Sequence, residues 1–437
     1  MSNITLKKLN NKKICILGYG IENQALVKYL IAKKIKADIT ICDSSKGVRH
    51  PFECRTPLVS WQLGKTYDKH LDQYDIIFRI AGYPLFTPEI IKARQAGVEI
   101  SSPTKLFFEL CPTKNIIGVT GTKGKGTTAS LIYSILKKAG QQAYIGGNIG
   151  IPMFSFLNKI KPRDWVILEL SSFQLENLET SPRIAVITNF YREHLAPADP
   201  NNPNYHKSLS SYWQAKSNIF KWQKKNNAAI INKNLKNKTA EIGLGKKIYF
   251  NKSNMQTKLI GEYNKENIAA TIETARLAGV KMKVIKKVIK NFKNLKHRLE
   301  FVCQAGQVKY YNNSFATTPE ATIADLNSFK EPIILLAGGA DKGSSFRELA
   351  KAIKKKVKFA VLLKGQATPR IKKELLKIKY PKNKMKLIDS MREAVKTAKQ
   401  NSVAGDIVLL STGCASFGMF KNYKERGNLF KKEVIKK

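Results

Sequence analysis

No run of 18 or more apolar residues occurs in the 437-residue chain, which leaves no segment suited to cross a bilayer as a helix. Cysteine is scarce. Cys15, Cys42, Cys54, Cys111, Cys303 and Cys414 are scattered with no C-x-x-C pair or His-rich spacing, which excludes a zinc-site or disulfide framework and predicts reduced, small buried side chains. Residues Met1 to Asn11 are polar and lack the apolar core of a secretory signal, so the expected location is the cytoplasm. Acidic residues are few, 32 against 77 basic ones, for a net charge of +45. Arginine is also scarce: 13 of those 77 are Arg and the other 64 are Lys, spread along the chain beside many Asn and Ile. Codons rich in A and T explain that mixture as well as any ligand does. A nucleic-acid surface would gather Arg and aromatics on one face, so no nucleic-acid partner is expected. The field should still favour anionic small molecules by steering.

What is present is a near-continuous alternation of β-branched apolar runs with helical patterns, the mark of parallel α/β layers. Three segments start such a series afresh. The first has strands Lys13–Leu17, Asp38–Cys42 and Asp75–Ile80 around a helix over Glu22–Lys34. The second has strands Asn115–Thr120, Trp165–Leu170 and Ile184–Thr188, with a helix over Thr127–Ala139. The third has strands Gln307–Tyr311, Pro332–Leu336, Lys358–Leu363 and Asp406–Leu410, helices over Pro319–Phe329 and Ser345–Lys355, and a closing helix from about Phe417. The expected fold is α/β in three domains. These are a Rossmann-like N-terminal domain (1–105), a central P-loop ATPase-like domain (106–298) and a C-terminal Rossmann-like domain (299–437).

Gly18 and Gly20 lie between a strand and a helix, where glycine lets backbone N–H groups approach a pyrophosphate, although Asn23 replaces a third glycine. A tight structural turn explains the pattern about as well. Asp43 ends the next strand, where a ribose or base acceptor would lie, with Ser44 after it. A stronger signal is the run from Gly118 to Thr128. A buried strand enters Gly121-Thr122-Lys123-Gly124-Lys125-Gly126, and Thr127-Thr128 open a helix, the way backbone amides and a lysine cradle ATP phosphates. The hydroxyl residue expected after Lys125 to hold Mg²⁺ is Gly126, and Thr127 is the nearest substitute. Glu169 ends an apolar strand, a suitable oxygen ligand for Mg²⁺, and His194 follows the adjacent strand as a second-metal candidate.

On these residues the chain resembles the Mur ligase family along its whole length. The marks are Gly146–Pro152, the Ser171-Ser172-Phe173-Gln174-Leu175-Glu176 run, Tyr212–Lys216, Gly261–Asn264, His297–Glu300, Gly338–Gly343 and Ser411–Phe417, continuing through Phe420–Tyr423 to Arg426-Gly427. The resemblance implies an ATP-dependent amide-forming ligase that adds D-glutamate to UDP-N-acetylmuramoyl-L-alanine through an acyl phosphate, and a monomer is expected. It implies two Mg²⁺ sites, held by Glu169 and His194 with Lys216 as a carbamate, and phosphate contact by Lys125; Thr127, the hydroxyl nearest Gly126, is expected to hold Mg²⁺ with them. It places Asn264, Arg298 and Asn313 on the nucleotide and Asn148, Ser171 and Gln174 on the UDP substrate. Thr317, Lys342, Ser416, Phe417 and Tyr423 would line the D-glutamate pocket. The chain departs from the pattern at Gly126, at Asn313 (usually aspartate), at Tyr263 (often histidine), at Arg79–Gly82 and over Leu195–Tyr205. A relative with the same chemistry, such as a folylpolyglutamate ligase, and an ATP-binding scaffold without catalysis are the other readings.

Overall fold

The computed structural model describes residues 6–44, 59–195, 203–341 and 343–436. They form two compact units. One comprises residues 1–255 and 266–289, the other 256–265 and 290–437. The first unit carries two sheets and the second carries one.

The first sheet is wholly parallel, in the order Val59–Leu63, Asp38–Asp43, Lys13–Leu17, Ile76–Arg79, Glu99–Ser101. The chain starts in the middle, moves to one edge and then crosses to the other, which makes a Rossmann-type switch point at the end of Lys13–Leu17. The second sheet is also parallel: Lys246–Phe250, Ala228–Asn232, Ile184–Ile187, Ile116–Thr120, Trp165–Glu169, Ala143–Gly147. Its three central strands are buried on both faces, which their runs of Ile, Val and Leu require. The strand-to-loop turn after Ile116–Thr120 feeds the helix Lys125–Lys138.

The third sheet runs Glu300–Ala305, Val308–Asn312, Ile407–Leu410, Ile333–Ala337, Val357–Leu363, Met385–Ile388. Only the first pair is antiparallel, closed by a hairpin at Gly306, whose φ of 57° suits glycine. The closing helix spans Tyr423–Ile435 and starts later than the expected Phe417. Asn422 caps it by accepting the Glu425 N–H at 3.0 Å, and Gly418 at φ 97° breaks any earlier start. Of the cysteines, Cys15, Cys42, Cys111 and Cys414 are buried as expected, Cys303 is half-buried, and Cys54 lies outside the described residues.

The first two sheets share a core. Helix Pro103–Leu110, capped by Ser102 at the Lys105 N–H (3.1 Å), buries Leu106, Phe107 and Leu110. Phe107 meets Phe154 and Phe156 edge-on, and Tyr29 of helix Ile21–Ala32 meets Phe154 in the same way. Polar contacts reinforce this. Arg79 is fully buried at the end of its strand; it donates to the Tyr83 carbonyl and to the Phe173 carbonyl (3.0 Å), and lies 3.5 Å from Glu176. Burial lowers the Arg79 pKa to about 10 and raises that of Glu176. The segment Arg79–Gly82, which departs from the family pattern, thus ties the first sheet to the Ser171–Glu176 run. Gln174 adds a second tie, donating to Glu22 at 2.6 Å.

Removing the guanidinium leaves the Glu176 carboxylate without its cation. Arg79→Ala is therefore expected to cost about 3–5 kcal/mol, read as a lower midpoint in thermal or urea unfolding. Burial raises the half-buried Glu22 carboxyl to about 7. Its folded pKa lies above the unfolded one, so its contribution is full below pH ~4.5 and is lost as pH rises through ~7. Glu22→Gln should remove that component and raise the unfolding midpoint at pH ~8 relative to the unmodified chain.

Candidate active site

Pairing of Val119 with Glu169 and of Thr120 with Ile187 sets three strand ends side by side at the C-terminal edge of the second sheet. The Gly-rich loop leaves from the middle one. Gly121 has φ 144°, and a Cβ there would sit 1.9 Å from the Thr188 hydroxyl; at Gly124, φ 84°, it would sit 2.1 Å from Asn267 Oδ1. Both glycines are required by close approach as well as by conformation.

The loop is held from the neighbouring strand. Asn189 accepts the Thr122 N–H on its backbone carbonyl (3.0 Å) and the Lys123 N–H on its Oδ1 (2.8 Å), and its Nδ2 donates to the Lys123 carbonyl (3.0 Å). Thr188 donates to the same carbonyl. The Thr122 hydroxyl accepts the Tyr191 N–H at 2.9 Å and lies 3.1 Å from the Tyr212 hydroxyl. These partners, and Asn267 of helix Tyr263–Leu277, escaped the sequence reading. Tyr212 falls in the Tyr212–Lys216 run, but no motif marks Thr188, Asn189, Tyr191 or Asn267, and only the packing of neighbouring strands and helices brings them to the loop. An open pocket of about 300 Å³ lies alongside, with Asn189, Tyr191, Arg192, Asn232 and Lys238 in its wall.

Two lysines converge on the loop. Lys125 Nζ donates to the Gly121 and Thr122 carbonyls, both at 3.0 Å. Lys216, on the helix Leu209–Lys221, is 1% exposed and donates to Gly121 O at 2.9 Å. Burial, then the charge of Lys125, holds the Lys216 amine well below the usual lysine range. Glu169 is 2% exposed. Its Oε1 accepts Asn148 Nδ2 at 2.9 Å, while its buried Oε2 has no hydrogen-bond partner among the described residues. Such an oxygen fits a hard cation such as Mg²⁺. Gly126, Thr127 and Thr128 lie buried in the first turn of the helix. His194 has φ 59°, and its half-exposed ring packs near Phe173 and Tyr212. Among the described residues no three His, Cys, Asp or Glu side chains gather into a metal cage.

Several expected substrate residues are engaged by the protein. Asn148 holds Glu169. Ser171 and Gln174 form a capping box on Ser172–Leu175, with Gln174 also on Glu22. Asp43 accepts the Tyr19 N–H at 2.6 Å, shaping the turn that holds Gly18 and Gly20, and Ser44 is exposed beyond it.

In the second unit, Asn264 Nδ2 donates to Ile260 O at 2.6 Å. The Arg298 guanidinium stacks 3.6 Å from the Phe315 ring centre, and Phe315 meets Tyr423 edge-on. Asn313 and Ser416 are buried, Thr317 is half-buried and Phe417 is exposed. Lys342 lies outside the described residues. Arg426, fully buried, donates from Nε to Ser314 Oγ (2.9 Å) and from its two amino groups to the carbonyls of Ser314 (2.8 Å) and Cys414 (3.2 Å).

Residues 12–102 match the Mur ligase MurD-like N-terminal domain, 119–254 the Mur ligase middle domain and 297–414 the Mur ligase glutamate ligase domain. The chain belongs to the Mur ligase family. It is 38% identical to the UDP-N-acetylmuramoylalanine–D-glutamate ligase of Acetivibrio thermocellus, over 98% of this chain and 97% of that one. It is 37% identical to the ligase of the same name from Clostridium botulinum (strain Okra), over 97% and 96%. The fold is shared with MurF ligase from Thermotoga maritima in complex with ADP, at a TM-score of 0.60, 16% identity and coverage of 98% and 96%. It is also shared with the UDP-N-acetylmuramate-alanine ligase of that organism, at 0.57, 17% identity and coverage of 93% and 96%.

The Gly121→Ala variant tests the loop geometry directly. A methyl group there meets Thr188 and Asn189, so ATP-dependent turnover should fall by at least about a hundredfold, the scale of a misplaced reacting group. Circular dichroism should show the folded state retained.

Proposed function

We propose that the chain is an ATP-dependent ligase of peptidoglycan synthesis that adds D-glutamate to UDP-N-acetylmuramoyl-L-alanine. The single observation that carries the assignment is near-full-length identity of 37–38% to ligases of that name. The site chemistry supports it. The alanyl carboxylate attacks the γ-phosphorus of ATP, ADP leaves, and an acyl phosphate forms. The D-glutamate amine then attacks the acyl carbon, phosphate leaves, and the amine proton passes to solvent. Residues 1–105 would bind the UDP end, 106–298 ATP, and 299–437 the amino acid.

Lys125 lies within reach of the loop that cradles phosphates and supplies a positive charge where negative charge develops. Glu169 Oε2 and His194 would hold Mg²⁺, with Thr127 as a further oxygen donor. Mg²⁺, when bound, would neutralise the transferring phosphoryl group. Lys216 is suited to a covalent change. A buried amine held well below the usual lysine range gives up its proton more readily than an exposed lysine, which favours the nucleophilic form. Its nitrogen adds to CO₂ and loses one proton, giving a carbamate whose oxygens supply the anionic ligands that Glu169 and His194 alone are too few to provide. The enzyme is read as a cytoplasmic monomer, and no helix among the described residues is long and apolar enough to cross a membrane.

Phosphate release from ATP should require UDP-N-acetylmuramoyl-L-alanine and reach full rate only with D-glutamate. Release independent of both would sink the assignment. Lys216→Ala should remove nearly all turnover, with partial recovery in the presence of short carboxylic acids. Full activity of that variant without additives would exclude the carbamate.

A further inference from the structure

Asn313 and Ser411 are the first residues beyond two paired parallel strands of the third sheet, Val308–Asn312 and Ile407–Leu410. The Asn313 N–H donates to Leu410 O at 2.7 Å, which fixes Asn313 at the strand C-terminal edge, where open α/β sheets present ligands. Next to both lies Asp325, 2% exposed, from the last turn of helix Pro319–Leu326. Its Oδ2 accepts Asn313 Nδ2 and Ser411 Oγ, both at 2.6 Å.

An ionised carboxylate only accepts hydrogen bonds. An amide packed against it must therefore turn its NH₂ inward, which settles an orientation that an asparagine side chain otherwise leaves open. The Oδ1 of Asn313 is then the end turned away from Asp325. No hydrogen bond reaches that oxygen from any described residue. The neighbouring segment carries the Arg298–Phe315 stack.

We propose that Asp325 is a positioning residue: it locks the Asn313 amide so that the chain offers ATP a neutral carbonyl oxygen, suited to a hydroxyl or amino donor of the nucleotide. The inference rests on Asn313 being a nucleotide-contacting residue, and it makes a specific demand on charge. A carboxylate placed at 313 while Asp325 remains would put two acidic groups at hydrogen-bond distance, where only one can ionise readily. A carboxylate at 313 facing an amide at 325 would keep the hydrogen bond with donor and acceptor exchanged, and would still present an acceptor outward.

The test uses the full chain, with the Michaelis constant for ATP, kcat and the thermal midpoint measured for four variants. Asp325→Asn should raise the ATP constant about three- to tenfold, the worth of one oriented hydrogen bond, with kcat within about twofold. Asn313→Asp should raise it further and lower the thermal midpoint. The double variant Asn313→Asp, Asp325→Asn should bring both back to within about twofold and a few degrees of the unmodified chain, the signature of coupled neighbours. A double variant no better than Asn313→Asp alone overturns the proposal. So does recovery of the thermal midpoint without recovery of the ATP constant, which would make Asp325 a fold contact only. The fourth variant, Asn313→Ala, separates the two ideas. If it raises the ATP constant while Asp325→Asn does not, positioning by Asp325 is wrong and the nucleotide contact stands. If it leaves the constant unchanged, the nucleotide contact itself falls and takes the proposal with it.

Discussion

The Gly-rich loop after Ile116–Thr120 is held in shape by Asn189, just past the neighbouring strand Ile184–Ile187. Its backbone carbonyl, side-chain oxygen and side-chain nitrogen are each spent on the loop, on the Thr122 N–H, the Lys123 N–H and the Lys123 carbonyl. A loop of glycines has large conformational entropy to lose, and these three bonds with the Thr188 hydroxyl offset that loss before any ligand arrives. The Gly121 carbonyl thereby comes to rest where both Lys125 and Lys216 can reach it. The position of the two cations is a consequence of strand order. Because Ile116–Thr120 sits between Trp165–Glu169 and Ile184–Ile187, the loop has Glu169 on one side and Asn189 on the other.

Buried cations in this protein divide by how well they are satisfied. Arg426 sends three donors to three oxygens, and Arg79 uses two carbonyls with a carboxylate nearby. A guanidinium is weakly hydrated and forked, so it tolerates burial among carbonyls. Among the described residues Lys216 has one hydrogen-bond acceptor, the Gly121 carbonyl, and a like charge beside it. A compact ammonium in that setting is the poorest served of the three. Burial alone does not distinguish these three side chains; the count and kind of oxygen partners does.

Much of this was legible in the sequence. Strands such as Ile116–Thr120 and Ile333–Ala337 are dominated by Ile, Val and Leu because both faces are covered, and the glycines of the loop stand out by composition. Edge strands were not legible. Val59–Leu63 alternates apolar and polar over only five residues, and Met385–Ile388 neither alternates nor forms a continuous apolar run; both are largely half-exposed or exposed. Site residues split the same way. Lys125, Glu169 and Lys216 are identified by motif, whereas Asn189, Asn267 and Asp325 act through neighbours distant in sequence. Asn148 and Gln174 were read as substrate contacts, and the structure adds that their amides already serve Glu169 and Glu22.

Arg426 carries a further implication. One end of its guanidinium grips Ser314, just past one strand, and the other grips Cys414, just past the adjacent strand. Gly427, next along the helix, packs so closely that a Cβ would fall 2.2 Å from the His297 ring. The two segments that flank the ligand edge of the third sheet are thus rivetted to a single helical turn. They form one jaw with a shared hinge pin, and a displacement of helix Tyr423–Ile435 carries both of them together. A substitution that reshapes one segment is therefore felt at the other through the Arg426 guanidinium.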